Sequence, residues 1–140
     1  MLAWRLCREP FADLNGEGAR LYGGGWNSPG RPMVYAASTA ALAVLEVRVN
    51  LDLPLDLLPD DYVLVAVDLA DLTIEDIATL PPDRRTAGDD WLAAGRTPVL
   101  RVPSIIVPES PNLLLNPTHP DAARAKIAGK RPFRFDSRLW

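Results

Sequence analysis

Gly16-Glu-Gly-Ala-Arg-Leu-Tyr-Gly-Gly-Gly-Trp-Asn-Ser-Pro-Gly-Arg-Pro32, Met33-Val-Tyr-Ala-Ala37 and Ser38-Thr-Ala-Ala-Leu-Ala-Val-Leu-Glu46 follow one another without a break and differ sharply in composition. The first is a glycine-rich loop. The second is a short apolar strand bounded by Pro32 and Ser38. The third is an almost wholly apolar helix that Ser38 or Thr39 can cap and that runs to about Asn50. Glu46 stands in the middle of that helix, where a carboxylate is costly to bury without a partner. Residues three and four apart align on a helix, so Leu42, Glu46, Val49 and Asn50 share a face.

Outward from this segment the signals are short and irregular. Trp4 to Cys7 alternates apolar with polar, a strand pattern, and Glu9 to Pro32 reads as loop. Tyr62 to Leu69 is apolar on both faces and fits a central strand. Leu72 to Ala78 reads as a short helical turn and Arg84 to Ala94 as another, anchored by Trp91 and Leu92. Val99 to Val107 is a strand interrupted by Pro103, which suggests an edge or a bulge. Asn112 to Asn116 is a further strand, Pro117 to Ala128 a helix ending at Gly129, and Phe133 to Asp136 a last strand-like alternation. This order lacks the regular alternation of a doubly wound sheet. It predicts an α+β fold, a single mixed domain of short strands and helices around a cleft, spanning residues 1–140.

Composition narrows the function classes. Hydrophobic residues make up 48% and charged residues 24%, enough for an ordinary core in a chain of 140 residues. The formal net charge is -3, which argues against direct nucleic-acid binding. No window approaches the ~18 consecutive apolar residues of a membrane span, and the first residues lack a signal pattern, so the expected localisation is cytoplasmic, without membrane contact. Cys7 is the single cysteine and His119 the single histidine, so no zinc cluster can form and no metal site is expected. The pairs Asp60-Asp61 and Asp89-Asp90 lack calcium-loop spacing and read as turns and helix caps. The 14 prolines imply many short elements joined by fixed turns.

Gly23-Gly24-Gly25 is neither a dinucleotide fingerprint nor a phosphate-binding P-loop, since no strand precedes it and no Lys-Ser/Thr ends it. On glycine content alone it is a flexible turn. Its company of Arg5, Arg8, Arg20, Trp26, Asn27 and Tyr35 favours a ligand site, because arginine grips phosphate bidentately and aromatics stack on planar rings. Glu46 has a plain alternative as a surface glutamate paired with Arg48, but Ala40 to Leu45 and Val47 leave no polar face for it. Ser104, between Pro103 and Ile105, is structural if alone and an orienting donor if it meets a glutamate in a cleft. His119 reads as a turn residue, and Cys7 as core.

The motif Gly18-Ala-Arg-Leu-Tyr-Gly-Gly-x-Trp-Asn-Ser-Pro-Gly-Arg-Pro32, with Val34-Tyr-Ala-Ala37 and Ala41-Leu-x-x-Leu-Glu46, resembles the RES-domain toxins of bacterial toxin–antitoxin pairs. Leu100-Arg-Val-Pro-Ser104, Asn112-x-Leu-Leu-Asn-Pro-x-His-Pro120 and Phe133-x-Phe-Asp-x-Arg-Leu139 match as well, so the resemblance covers essentially the whole chain in order. It implies a fold like that of the diphtheria-toxin-type ADP-ribosyltransferases, and NAD+ as substrate with no other cofactor. The implied reaction cleaves the nicotinamide–ribose bond by hydrolysis or phosphorolysis, or passes ADP-ribose to a protein. The implied partner is an Xre-type helix-turn-helix antitoxin, with a homodimer as a further expectation for which Leu51 to Leu58 offers apolar surface.

By the same resemblance Glu46 is the catalytic glutamate and Ser104 the serine that orients it or the ribose. Tyr35 stacks on nicotinamide, and Arg5 holds the pyrophosphate, with Arg20, Trp26 and Asn27 as further substrate contacts. One position departs from the family: Gly25 stands where an arginine is usual. That implies a weakened enzyme, or an inactive variant that only binds its antitoxin, with activity restored by Gly25→Arg.

Overall fold

Thr39 accepts a hydrogen bond from the Leu42 amide through its hydroxyl, satisfying a free N–H at the start of a helix. The computed structural model describes residues 1–140 and contains that helix, α2 (Ala40–Arg48), directly after strand β2 (Val34–Ala37). Before them come β1 (Leu2–Arg8) and a six-residue helix α1 (Glu17–Tyr22); after them come β3 (Tyr62–Asp68), β4 (Ile74–Asp76), α3 (Arg84–Ala94), β5 (Val99–Pro103), β6 (Pro111–Leu115) and β7 (Lys126–Pro132). The seven strands form one mixed sheet in the order β4-β5-β6-β2-β1-β3-β7, antiparallel except for the β4–β5 pair. The α+β expectation is met.

Alternation on the strands sorts the core. Val63, Val65 and Val67 of β3 join Ala3, Val34, Val99, Leu113 and Leu115 on one face. On the other face, Leu64 packs with Leu6, Ala37, Leu42 and Ala43 beneath α2. Further along that second face Leu100, Val102 and Leu114 pack with Trp26, Met33 and Trp91, beneath the glycine loop and α3. Two separate apolar clusters on one sheet face leave a gap between them, and the gap is where the site lies.

The gap begins as a weak seam. β1 and β3 share seven register pairs, whereas β1 and β2 share one, Trp4 with Ala37. Beyond that pair the ladder is replaced by a side chain: the Arg5 guanidinium donates from Nε to the Tyr35 carbonyl at 3.2 Å and from Nη1 to Ala12 and Asp13 carbonyls at 3.4 and 3.0 Å. The strands part, and a slot of about 120 Å3 opens between Trp4–Leu6, Tyr35–Ala37 and the Glu46 face of α2.

Several expected elements differ. Residues 72–78 supply β4 rather than a helical turn, because β4 and β5 are the two parallel strands of a unit closed by α3. Residues 117–128 form a single 3-10 turn, Pro120–Arg124, and then enter β7. Residues 133–136 are irregular, and the last strand is Lys126–Pro132 instead. All seven residues of β7 are exposed, so this edge strand carries no apolar alternation to betray it. The strand from Val99 ends at Pro103, and the expected long loop encloses α1.

Candidate active site

Ser104 is fully buried just past the end of β5, where the chain turns away from the sheet. Its Oγ accepts from the amides of Ile106 at 3.1 Å and Val107 at 3.2 Å. With both lone pairs engaged, its one proton is left for the Glu46 carboxylate, and it donates to Oε1 at 2.6 Å. Asn112 Nδ2, from β6, donates to the same oxygen at 2.7 Å. Glu46 Oε2 makes no hydrogen bond within the chain. Glu46 is thus held by one oxygen and presents the other. Arg48, its alternative partner, turns elsewhere: Nε donates to the Leu139 carbonyl and the guanidinium lies 3.9 Å over the Trp140 ring.

Glu46 lines a cavity of about 680 Å3, within the ~300–1,000 Å3 typical of small-molecule sites. The glycine loop Gly23–Gly25, Tyr35, Asn112 and the rim residues Tyr22, Val49, Ile105 and Ile106 line it. Glu46 and Arg84 are the two charged residues in its wall.

The glycine loop is anchored rather than free. Tyr35 Oη donates to Asn27 Oδ1 at 2.6 Å and accepts from the Trp26 amide at 2.9 Å. Burial pushes the Tyr35 phenol up to about 12, so it stays protonated and able to donate. Asn27 is fully buried, and its Nδ2 donates to the carbonyls of Ala19, Ser28 and Arg31. From α3, Asp89 accepts from both the amide and the hydroxyl of Ser28, at 2.9 and 2.5 Å. Gly88 packs so close that a Cβ there would overlap the Trp26 carbonyl oxygen. Asp89, read from the sequence as a solvated cap, is therefore a clamp on the loop.

The structure brings together Glu46, Ser104, Tyr35, Gly25 and Arg5 around adjoining openings. Several sequence candidates have their polar groups or rings committed within the protein. Asn27 has its amide committed inside the protein and offers no polar atom to a ligand. Trp26 borders the cavity but is only 5% exposed, packed into the core with Met33 and Trp91. Arg20 lies outside the cavity lining and pairs with Glu17. Arg5 has two of its three nitrogens on backbone carbonyls, and burial lowers its pKa. Cys7 is part-buried, which raises its thiol, and His119 Nδ1 accepts from the Asp121 amide at the head of a 3-10 turn. Sequence reasoning missed Asn112 and Arg84. Asn112 had a signal, a polar side chain beside Leu113 to Leu115; Arg84 had none beyond its place at a helix start.

Residues 2–136 match the model of the RES domain. The chain belongs to the RES-domain family. Among its relatives is the "Prs ADP-ribosylating toxin" of Sphingobium sp. (strain YBL2), 42% identical over 97% of this chain and 94% of the relative. "Toxin Res" of Photorhabdus laumondii is 38% identical over 99% and 97%, and "Toxin Res" of Pseudomonas putida 36% identical over the whole of both. In solved structures the RES fold of this chain is similar to one in the M. tuberculosis MbcT–MbcA toxin–antitoxin complex. The TM-score is 0.67, at 20% identity over 95% of this chain and 84% of that one. No helix of this RES domain is long and apolar enough to cross a membrane.

Proposed function

We propose that this chain is the toxin of a toxin–antitoxin pair and that it breaks the bond between nicotinamide and ribose in NAD+. The supporting observation is the Glu46 carboxylate, fixed through Oε1 by Ser104 and Asn112, with Oε2 free of partners in the chain, on the wall of a cavity of about 680 Å3. Nicotinamide departs with the bonding electron pair and becomes neutral, so no general acid is needed. Positive charge develops on the ribose as the bond breaks. A fixed carboxylate that accepts a hydrogen bond from a ribose hydroxyl stabilises that charge without reorganising. In hydrolysis, water then adds to the ribosyl carbon and releases one proton, giving ADP-ribose and nicotinamide; phosphate in its place gives ADP-ribose 1-phosphate. Tyr35 offers its ring face to nicotinamide while its hydroxyl holds the loop.

A second reading keeps the same cleavage and changes the acceptor to a protein side chain. The relative named as an ADP-ribosylating toxin favours it. The antitoxin partner, Xre-type in this proposal, would cover the cavity mouth, where Tyr22, Val49 and Ile105 are exposed.

Mass spectrometry of NAD+ incubated with the protein tests both readings, with and without phosphate and a candidate target protein. Nicotinamide release that Glu46→Gln abolishes, with the melting temperature unchanged, is the expected result. ADP-ribose, its 1-phosphate or a protein heavier by one ADP-ribose then identifies the acceptor. Intact NAD+ at enzyme concentrations matching the substrate rejects the enzymatic readings and leaves an antitoxin-binding variant.

A further inference from the structure

Glu46 is answered across the cavity by one cation. Arg84 is the first residue of α3, half-buried, and its side chain reaches under the glycine loop. A Cβ built on Gly25 would lie 3.0 Å from Arg84 Nη1 and 3.8 Å from its Cζ, so the guanidinium occupies the space that a side chain at position 25 would take.

Its surroundings leave Arg84 uncompensated. Arg8, Arg96, Arg101 and Arg138 are each paired bidentately with a carboxylate, and Arg84 has no such partner. The neighbouring carboxylate, Asp83, is turned to the helix, accepting from the amide and hydroxyl of Thr86. Arg85 follows and donates to the Gly24 carbonyl at 3.3 Å. Two arginines in the first turn of a helix oppose the helix dipole, whose positive end lies there. An anion in the cavity relieves both effects.

We propose that Arg84 grips the pyrophosphate of a nucleoside diphosphate, in the room that Gly25 leaves for it. The proposal rests on the NAD+ reading and adds the residue that binds the anionic centre of the substrate. A dinucleotide carries negative charge at its pyrophosphate and positive charge on its nicotinamide ring, and the wall offers one guanidinium and one carboxylate. The guanidinium fork matches phosphate oxygens bidentately. On this view the glycine at position 25 does not remove the anion grip. It moves the grip from the loop to α3, and a second arginine at position 25 would crowd and repel the first.

Calorimetric titration with ADP-ribose, adenosine and inorganic pyrophosphate tests this on the wild-type chain, Arg84→Gln, Gly25→Arg and the double variant, with melting temperatures alongside. Arg84→Gln should weaken ADP-ribose about tenfold or more, the scale of one lost charge-assisted contact, and leave adenosine within about twofold. Gly25→Arg alone should gain nothing, and in the Arg84→Gln background it should recover most of the loss. Equal ADP-ribose affinity in wild type and Arg84→Gln overturns the proposal, as does an equal loss for adenosine and ADP-ribose. If wild type binds pyrophosphate but not ADP-ribose, the NAD+ reading fails. Loss of pyrophosphate binding in Arg84→Gln then still supports the anion site, and its persistence rejects it. A wild-type chain that binds none of the three rejects both.

Discussion

Asn112→Ala removes one of the two donors on Glu46 Oε1 and little else. The amide donates at 2.7 Å to a carboxylate, and such charge-assisted bonds contribute about 1.5–3 kcal/mol. If the bond serves to hold Glu46 for the transition state, that range corresponds to ~10- to 150-fold in rate, at 1.36 kcal/mol per decade. Asn112 borders the cavity and is half-buried, so water can replace part of the lost contact. The expected fall in kcat is therefore near the lower end, about 10- to 30-fold. Stability should barely change. The backbone of β6 keeps its ladder to β2 and β5, and Asn112 Oδ1 has no partner to orphan. A loss below ~1 kcal/mol moves the melting temperature by no more than about 4 °C. Initial rates of nicotinamide release over a range of NAD+ concentrations, with a melting curve on the same sample, separate the two effects. A kcat within twofold of wild type would refute the claim that Asn112 positions Glu46. Ser104→Ala is a less clean perturbation, because the Ile106 and Val107 amides would lose their acceptor together with Glu46.

Two further outcomes concern the glycine loop. Gly88→Ala forces α3 off the Trp26 carbonyl, a backbone collision that rotamer changes cannot relieve, so urea denaturation should show a loss of at least ~2 kcal/mol. An unchanged midpoint would mean that α3 and the loop do not pack as described. Tyr35 links to pH through its phenol, raised by burial from 10.0 to about 12. Between those values the unfolded chain loses its proton and the folded chain keeps it, so stability present below pH 10 is lost as pH rises toward 12. The slope from this group is at most ~1.4 kcal/mol per pH unit. Tyr35→Phe should be less stable at neutral pH by ~1–3 kcal/mol, having orphaned the Trp26 amide and Asn27 Oδ1, but should decline less steeply above pH 10. Parallel decline in both proteins would place the shifted phenol elsewhere.

Elements with their own local signal were legible in the chain. The β2–α2 unit announces itself through an apolar run, a Thr cap and a carboxylate without a polar face, and β3 through continuous hydrophobicity. Elements whose state depends on a distant partner were not. β7 is strand only because β3 offers it a ladder, and β4 only because β5 lies beside it in parallel. Residues 117–128 looked helical because Pro and Ala suit a helix start, yet pairing with β3 takes the chain from Lys126 onward.

The same division runs through the site. Motifs of a few adjacent residues carry the family, and they single out Glu46 and Ser104 as site candidates. Glu46 and Ser104 are 58 residues apart, and their 2.6 Å bond exists because the turn after β5 comes beside α2. Which polar residues near the glycine loop face the cavity is set by packing and not by local sequence. Asn27 and Arg20 carry suitable chemistry, yet one is sealed in the core and the other pairs with Glu17. Asn112 and Arg84 arrive from β6 and α3, and what aims them is the packing of those elements on the loop, a many-body property that no local stretch of sequence encodes.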